Sequence, residues 1–497
     1  MDYSDTRLQL LDHSNDKSFA KLTRQDIFDT SKKILAAAIP NIFSSFGGLL
    51  KDVISLYFVG HLNDALLFAT FGFGMTWFSG FASSIIFGFA AGFGTLASQA
   101  FGARNYRKLG ILYQRMLVLA AISIIFMWVF LCMTGPILAM IGYPEDLRTE
   151  VASFVKALLL DLVFYSIMEI TKYYLVAQNI FNISAYILTF TSILHLFWCY
   201  LFTNVFNLEL TGLAIARTIT DATSAGLLLL YVKVKNPNPE SWIPWNAECL
   251  KDLWSFTKEL LSHGSSIYIE WITFELSTLM MAYLNDVVAL AAYTATLNLT
   301  FLNFTLTFGF TIGTSTLVAN AVGEGSPNKA RKYAWVGLGL IMSLVTILDI
   351  ILLFFKGGIP AFYTGEINVQ NVMASMLAIY AFGMPVDIGS NALGYFLRAT
   401  GQDKFVLRSF LFSYYMIGLV SCLVFGVLLG FGYAGIWWSL IAGFYTMFIL
   451  NIQRMYYLDW EVEVKNVSNN LKSETTPSTS TLKEIEMSEK AFDSYCK

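Results

Sequence analysis

The sequence predicts an all-α integral membrane protein, with twelve transmembrane helices arranged as two six-helix lobes. Three observations lead there. The 497 residues are 56% hydrophobic and only 13% charged, against ~25% charged in soluble domains, and the mean hydropathy is +0.58. Twelve apolar segments follow one another, each long enough to cross a bilayer as a helix of ~20 residues. Loop motifs of the first half return in the second, so one six-helix plan is used twice.

In chain order, residues 1–33 are a polar lead with Arg7, Lys17, Lys21, Arg24, Lys32 and Lys33, read as a cytoplasmic N-terminal segment. No cleavable signal peptide is expected in so polar a stretch, and the first apolar segment would serve as the insertion signal. The apolar segments lie near 34–58, 65–98, 109–134, 150–176, 184–206 and 210–232, then near 254–283, 287–318, 332–356, 370–397, 405–430 and 433–456. Several exceed 25 residues, which implies tilt or kinks. Residues 34–235 thus form an N-lobe, 236–253 a polar linker interrupted by Pro237, Pro239 and Pro244, and 254–460 a C-lobe. Residues 461–497, rich in Ser, Thr, Glu and Lys, read as a disordered cytoplasmic tail.

Orientation follows the cations. Arg104, Arg107 and Lys108 lie between segments 2 and 3, Lys233, Lys235 and Lys251 between 6 and 7, Lys329 and Arg331 between 8 and 9, and Arg398 and Lys404 between 10 and 11. The opposite side carries little beyond Arg148 and Lys356, so both termini are expected in the cytoplasm. The repeat supports the same plan. TLASQAFGARNYRKLG (95–110) after segment 2 answers STLVANAVGEGSPNKARKYA (315–334) after segment 8, and YLVAQNIFNISAYIL (174–188) answers YFLRATGQDKFVLRS (395–409). Six helices per half give both halves the same orientation, related by an axis along the membrane normal, with the ligand site expected between them.

Composition also excludes. A net charge of −3 gives no reason for a nucleic-acid partner. Cys132, Cys199, Cys249, Cys422 and Cys496 show no framework spacing, so no disulfide is expected. GFAAGFG (88–94) has no following Lys-Ser/Thr, and no metal cluster or nucleophile triad is visible, so neither an enzyme nor an ATP-driven pump is expected, and no cofactor.

The chemistry concentrates in SHGSSIYIEWITFELSTLMMAYLND (262–286), where Glu270 and Glu275 are the acids of a membrane-length helix. An acid at the centre of such a helix costs ~2.5–3.5 kcal/mol on insertion scales. Either each pairs with a polar neighbour for packing, or at least one binds a proton or cation during transport. Five positions apart, they point ~140° apart and face different surroundings.

EWITFE, VGHLND (59–64), SQAFGARNYRKLGILYQR (98–115), ANAVGEG (319–325) and FLRATGQDK (396–404) together resemble the multidrug and toxic compound extrusion (MATE) family, over about residues 30–460. AECLKDLWSF (247–256) is similar to its eukaryotic branch. The resemblance implies two lobes around a V-shaped central cavity and secondary export of organic cations, drugs or metabolites in exchange for protons or Na⁺. It also implies that Glu270 and Glu275 match carboxylates implicated in proton coupling, and that Asp387 stands where the family has a glutamate. Departures accompany it: Asn298 falls where a further glutamate is usual, Gly94 where an acid is common, and Trp77 where an asparagine is common, and two prolines are missing near Ser262 and Val420.

Glu270, Glu275, Asp387 and Asp52 are therefore the candidate proton or cation residues. Trp271, able to stack on a cationic or aromatic substrate or to face lipid, joins Asn298, Tyr293, Trp77 and Asn391 as candidate cavity residues. Lys51 and Asp52 point ~100° apart and either pair with other helices or form an N-lobe cation site. Asp161, Glu169, Lys172 and Asp221 read as interhelical contacts, and His195 as a packed histidine. A small-molecule substrate, H⁺ or Na⁺, and membrane lipid are the expected partners of a monomer in the plasma membrane or an internal (vacuolar) membrane. A flippase for lipid-linked material would want a cationic cavity, whereas an acidic one is expected here.

Overall fold

The computed structural model describes residues 23–62, 64–235 and 237–473, which form helices with no strand among them. Helix α1 spans Arg24–Gly60 and α2 spans Ala65–Phe78 and Ser84–Gly102, joined through the π-helical turn Ser79–Ser83. Next come α3 (Tyr106–Cys132), α4 (Glu145–Ala157 and Leu159–Ala177, bent by 44°), α5 (Asn182–Cys199) and α6 (Glu209–Lys235). The second half repeats this with α7 (Leu253–Tyr283), α8 (Val287–Gly323), α9 (Pro327–Phe355), α10 (Ile367–Ala399), α11 (Asp403–Phe410, continuing as π-helix through Leu428) and α12 (Gly432–Tyr456). Ten of these helices are long and apolar enough to cross a membrane, and the bent α4 makes eleven. The twelfth, α7, carries Lys258, Glu259, Glu270 and Glu275 and is not among those ten.

Excess helix length is absorbed by identifiable breaks. Pro40 lies inside α1 and Pro385 inside α10, where each removes an amide donor. The π turns and the bend in α4 serve the other long segments.

Two expectations at the ends are corrected. Residues 24–33 are not a detached lead but the first turns of α1. Thr23 and Asp26 form a capping box there, and Asp26 Oδ1 meets Lys332 Nζ of α9 at 2.7 Å. Residues 461–473, read from the sequence as part of a disordered tail, belong instead to helix α13 (Trp460–Ser473). Its burial of Trp460, Val464 and Leu471 explains the order. The remainder of the lead and tail, with Cys496, lies outside the described residues.

The lobes meet where α2 packs on α8 and through two helix pairs that the repeat makes equivalent, α1 with α8 and α2 with α7. Glycines permit the close approach. Gly309 and Gly313 of α8 pack on the α1 backbone at Asn41–Ile42 and Ala37–Ala38, and Gly88 of α2 packs on Gly264 of α7. At one end the lobes also touch directly: a Cβ on Gly102 would overlap the backbone of Asn320, and one on Gly323 that of Gln99. These four residues are the repeat-related positions of the two loop motifs. Gln99 Nε2 further donates to the Ala399 carbonyl across the lobes at 2.9 Å. Helix α13 lies over this closed end, with Asn105 Nδ2 donating to the Leu471 carbonyl at 3.3 Å.

Candidate functional site

Buried charge falls into two groups, one per lobe. In the N-lobe, Lys51 and Asp52 of α1 both reach α6. Lys51 Nζ lies 2.5 and 2.8 Å from the Asp221 carboxylate oxygens. Arg217, one turn before Asp221, places Nη1 2.5 Å from Asp52 Oδ1 and Nε 3.2 Å from Asp161 Oδ2. On α4, Lys172 meets Glu169 at 2.6 Å. His195 bonds through one ring nitrogen to Ser55 Oγ and through the other to Thr220 Oγ1, a packed histidine tying α5 to α1 and α6. Sequence reasoning passed over Arg217. The signal was present, since an Arg and an Asp four residues apart in an apolar segment share one helix face.

This network forms one wall of a central cavity of ≈ 290 Å³. The N-lobe contributes Lys51, Asp52, Glu169, Lys172, Arg217 and Asp221, with the hydroxyls of Ser44, Ser83 and Thr191 among them. The C-lobe contributes Ile267, Trp271, Phe301, Phe304, Phe308 and Ile312. Its rings are interlocked: Trp271 meets Phe301 edge-on at 6.0 Å, and Phe304 stacks on Phe308 at 5.1 Å. The acidic cavity expected from the sequence is therefore corrected. Three cations balance three acids on one wall, and the facing wall is aromatic.

A buried ion pair stripped of one member leaves a costly unpaired charge. Lys51→Met is accordingly expected to destabilise the protein by ~3–5 kcal/mol, with Lys51→Met/Asp221→Leu recovering most of the loss. Unfolding midpoints in detergent would check it, and a double variant no better than the single would refute the pairing.

In the C-lobe, α7 brings Glu270 to Asp387 and Asn391 of α10, all three buried. Asn391 Nδ2 donates to Glu270 Oε1 at 2.9 Å and to the Asp387 carbonyl at 3.2 Å, and lies 3.5 Å from Asp387 Oδ1. Tyr414 of α11 donates its hydroxyl to Asp387 Oδ1 at 3.2 Å. Pro385 breaks the α10 hydrogen-bond ladder two residues before Asp387. Tyr414 sits in an aromatic run (FSYYMIG) with nothing to single it out, and only the packing of α11 brings it to the acid. A proton or cation taken up here removes the repulsion between two buried carboxylates.

The other candidates separate. Trp271 lines the cavity next to Glu270 in sequence, while Glu270 faces the C-lobe interior. Glu275 is exposed and makes no hydrogen bond or ion pair with Glu270 or Asp387. Four cavity assignments are corrected, the first being Asn391, which is buried between Glu270 and Asp387 and does not line the central cavity. Tyr293 is fully buried in the C-lobe, its hydroxyl 2.6 Å from Ser277 Oγ and its ring against Trp437. Trp77 stacks between Phe73 and Phe130, joining α2 to α3. Asn298 is exposed, one turn beyond the cavity residues Phe301 and Thr305 toward the start of α8, and bonds only the Thr294 carbonyl of its own helix. Helical pitch explains each miss, because a helix buries one face and sequence distance from an acid does not select it.

Two stretches of the chain, residues 40–201 and 265–424, each match the family model described as MatE. The chain belongs to the MatE family. One match falls in each half, as the repeat requires. This MatE chain is 27% identical to Protein DETOXIFICATION 22 of Arabidopsis thaliana over 469 residues, 94% of each chain. It is 26% identical to Protein DETOXIFICATION 20 of the same plant, covering 94% of this chain and 95% of that one. Its fold matches the crystal structure of the eukaryotic MATE transporter AtDTX14 with a TM-score of 0.84 at 21% identity, over 90% of this chain and 99% of that one. It matches the Vibrio cholerae MATE transporter VcmN in the bent form with a TM-score of 0.76 at 16% identity, over 90% and 99%. MatE proteins are transporters and not enzymes, and they handle small molecules with coupling ions. The chain is thus a multi-pass membrane efflux transporter of twelve helices in two lobes.

Proposed function

We propose that this MatE chain is a proton-coupled antiporter that exports amphipathic organic molecules, cations or metabolites among them, by alternating access. The observation that carries the reading is Glu270 and Asp387 joined through Asn391 inside the C-lobe, away from solvent. Two carboxyls in one dry site hold a single negative charge at lower cost than two, and then titrate as a pair. Loading that pair from one side of the membrane and emptying it to the other, as the lobes rock, drives the exchange.

The substrate would occupy the central cavity, its apolar body on Trp271 and Phe301 and its polar groups toward Lys51, Asp52 and Arg217. A flippase for pyrophosphate-linked lipid would need unpaired cations, whereas Lys51, Lys172 and Arg217 are each held by an acid. Residues 34–235 and 254–460 would move as the two units, with both termini in the cytoplasm of a cell that places the monomer in its plasma membrane or a vacuolar one. Trp271→Ala is expected to raise the KM for an aromatic substrate about tenfold, or ~1.4 kcal/mol, with little change in maximal rate. An unchanged KM would remove Trp271 from the substrate site.

The test of the coupling ion is efflux of a fluorescent organic cation from proteoliposomes under a pH gradient or a Na⁺ gradient. Efflux on the pH gradient supports the proposal. Efflux on Na⁺ alone overturns it and moves attention to Asp52 and Asp387 as cation ligands.

A further inference from the structure

Arg398 differs from the other buried cations. Lys51 and Arg217 each hold an acid at 2.5 Å. Arg398 is 2% exposed, yet its Nε and Nη2 are buried without a hydrogen-bond partner, and no carboxylate among the described residues lies within ion-pair distance. Its guanidinium carbon instead faces the rings of Tyr395 and Phe410, at 5.2 and 5.4 Å. The charge pattern of the sequence places Arg398 in a cytoplasmic loop, but the structure buries it at the last turn of α10. An unpaired buried charge is expensive and marks a functional position.

Its place along α10 suggests the function. Asp387, Asn391, Tyr395 and Arg398 follow at spacings of four, four and three, so they line one face of the helix over ~16 Å. The line begins at the Glu270–Asp387 pair. It ends on the wall of a second cavity of ≈ 940 Å³, at the closed end of the molecule under α13. Arg398, His263 and Asp403 share that wall, with His263 Nδ1 2.9 Å from Asp403 Oδ1. The Tyr395 hydroxyl, midway, is buried and unpartnered. Glu270, Tyr395 and Asp403 are the ionisable groups within electrostatic reach of Arg398.

A row of polar side chains leading from an acid pair to a cavity lined by charged and polar groups is a proton route unless something closes it. A fixed positive charge in a low-dielectric passage repels an incoming proton or cation strongly. We propose that Arg398 is an electrostatic plug, which stops ions from passing between the Glu270–Asp387 pair and the closed-end cavity without substrate being moved. The two rings flank the guanidinium, and among the described residues no acid lies within ion-pair distance of it. This inference rests on the coupling role proposed above for the acid pair.

The test uses the full-length chain in liposomes with a trapped pH-sensitive dye, no substrate, and the membrane potential clamped by K⁺ and valinomycin. Wild type and Arg398→Lys are expected to hold an imposed pH step, while Arg398→Met dissipates it at least tenfold faster and moves less substrate per proton. Arg398→Met liposomes as tight as wild type would overturn the plug. So would a wild type that leaks protons without substrate, a result that needs no variant to fold. The coupling reading is judged separately, by whether wild type exchanges substrate under a pH gradient. If exchange runs on Na⁺ alone, that reading fails, and the plug stands or falls on the same comparison with radioactive Na⁺ as the ion.

Discussion

Glu270→Gln is expected to lower pH-driven efflux at least 100-fold, about 2.7 kcal/mol in the barrier, while substrate exchange at equal pH persists. Gln keeps the shape and can still meet Asn391, so packing around α7 is retained. It cannot release a proton, so the step that loads and empties the pair is lost. Asp387→Asn should act alike. Because the two acids work as one unit, Glu270→Gln/Asp387→Asn should be little worse than either single change. Initial rates in proteoliposomes, with and without the gradient, check all three. A Glu270→Gln protein that transports like wild type would remove the acid pair from the mechanism. Loss of exchange at equal pH as well would assign Glu270 to substrate binding or folding.

Gly323→Ala is expected to be the largest purely steric effect, with Gly102→Ala as its repeat-related counterpart. Each new methyl falls on the backbone of the opposite lobe, at Gln99 or Asn320, where no flexible side chain can yield. Overpacking of this kind costs ~1–3 kcal/mol. The strain is confined to the closed end and relieved when the lobes part there, so the cost appears as a population shift. About 2 kcal/mol changes the ratio of the two arrangements roughly 30-fold. Spin labels placed on the ends of α2 and α8 should report a longer distance in detergent. Turnover should fall at least tenfold, since a transporter held open at one end cannot complete a cycle. Unchanged distances and rates in both variants would mean that this crossing does not gate the cycle.

The legible parts of this protein were those written at the scale of a whole helix. Bilayer length set the helices, and the family model covers both halves of the repeat that TLASQAFGARN and STLVANAVGEG announced. The acid pair was half legible. Glu270 was visible because an acid in an apolar helix is costly wherever it points, and Asp387 through the resemblance to the MATE family. Asn391 reads from the sequence as a cavity residue, and only the structure places it between the two acids. Tyr414, Arg217 and Arg398 were not legible as site residues. Their roles come from helices α11, α6 and α10 meeting partners far away in sequence.

Sequence alone determined the fold class, the two-fold plan and the presence of costly buried charge, because hydropathy, length and the expense of ionisation act residue by residue. Tertiary structure alone decided which charges pair and which stay unpaired. It joined Lys51 to Asp221 and Asp52 to Arg217, turning an expected acidic cavity into a balanced one. It sent Trp77, Tyr293 and Asn298 away from the cavity and left Arg398 between two rings. The physical reason is that a helix fixes the spacing of its side chains but not its own rotation. Rotation is set by packing against other helices, here through glycines 88, 264, 309 and 313 at the lobe crossings.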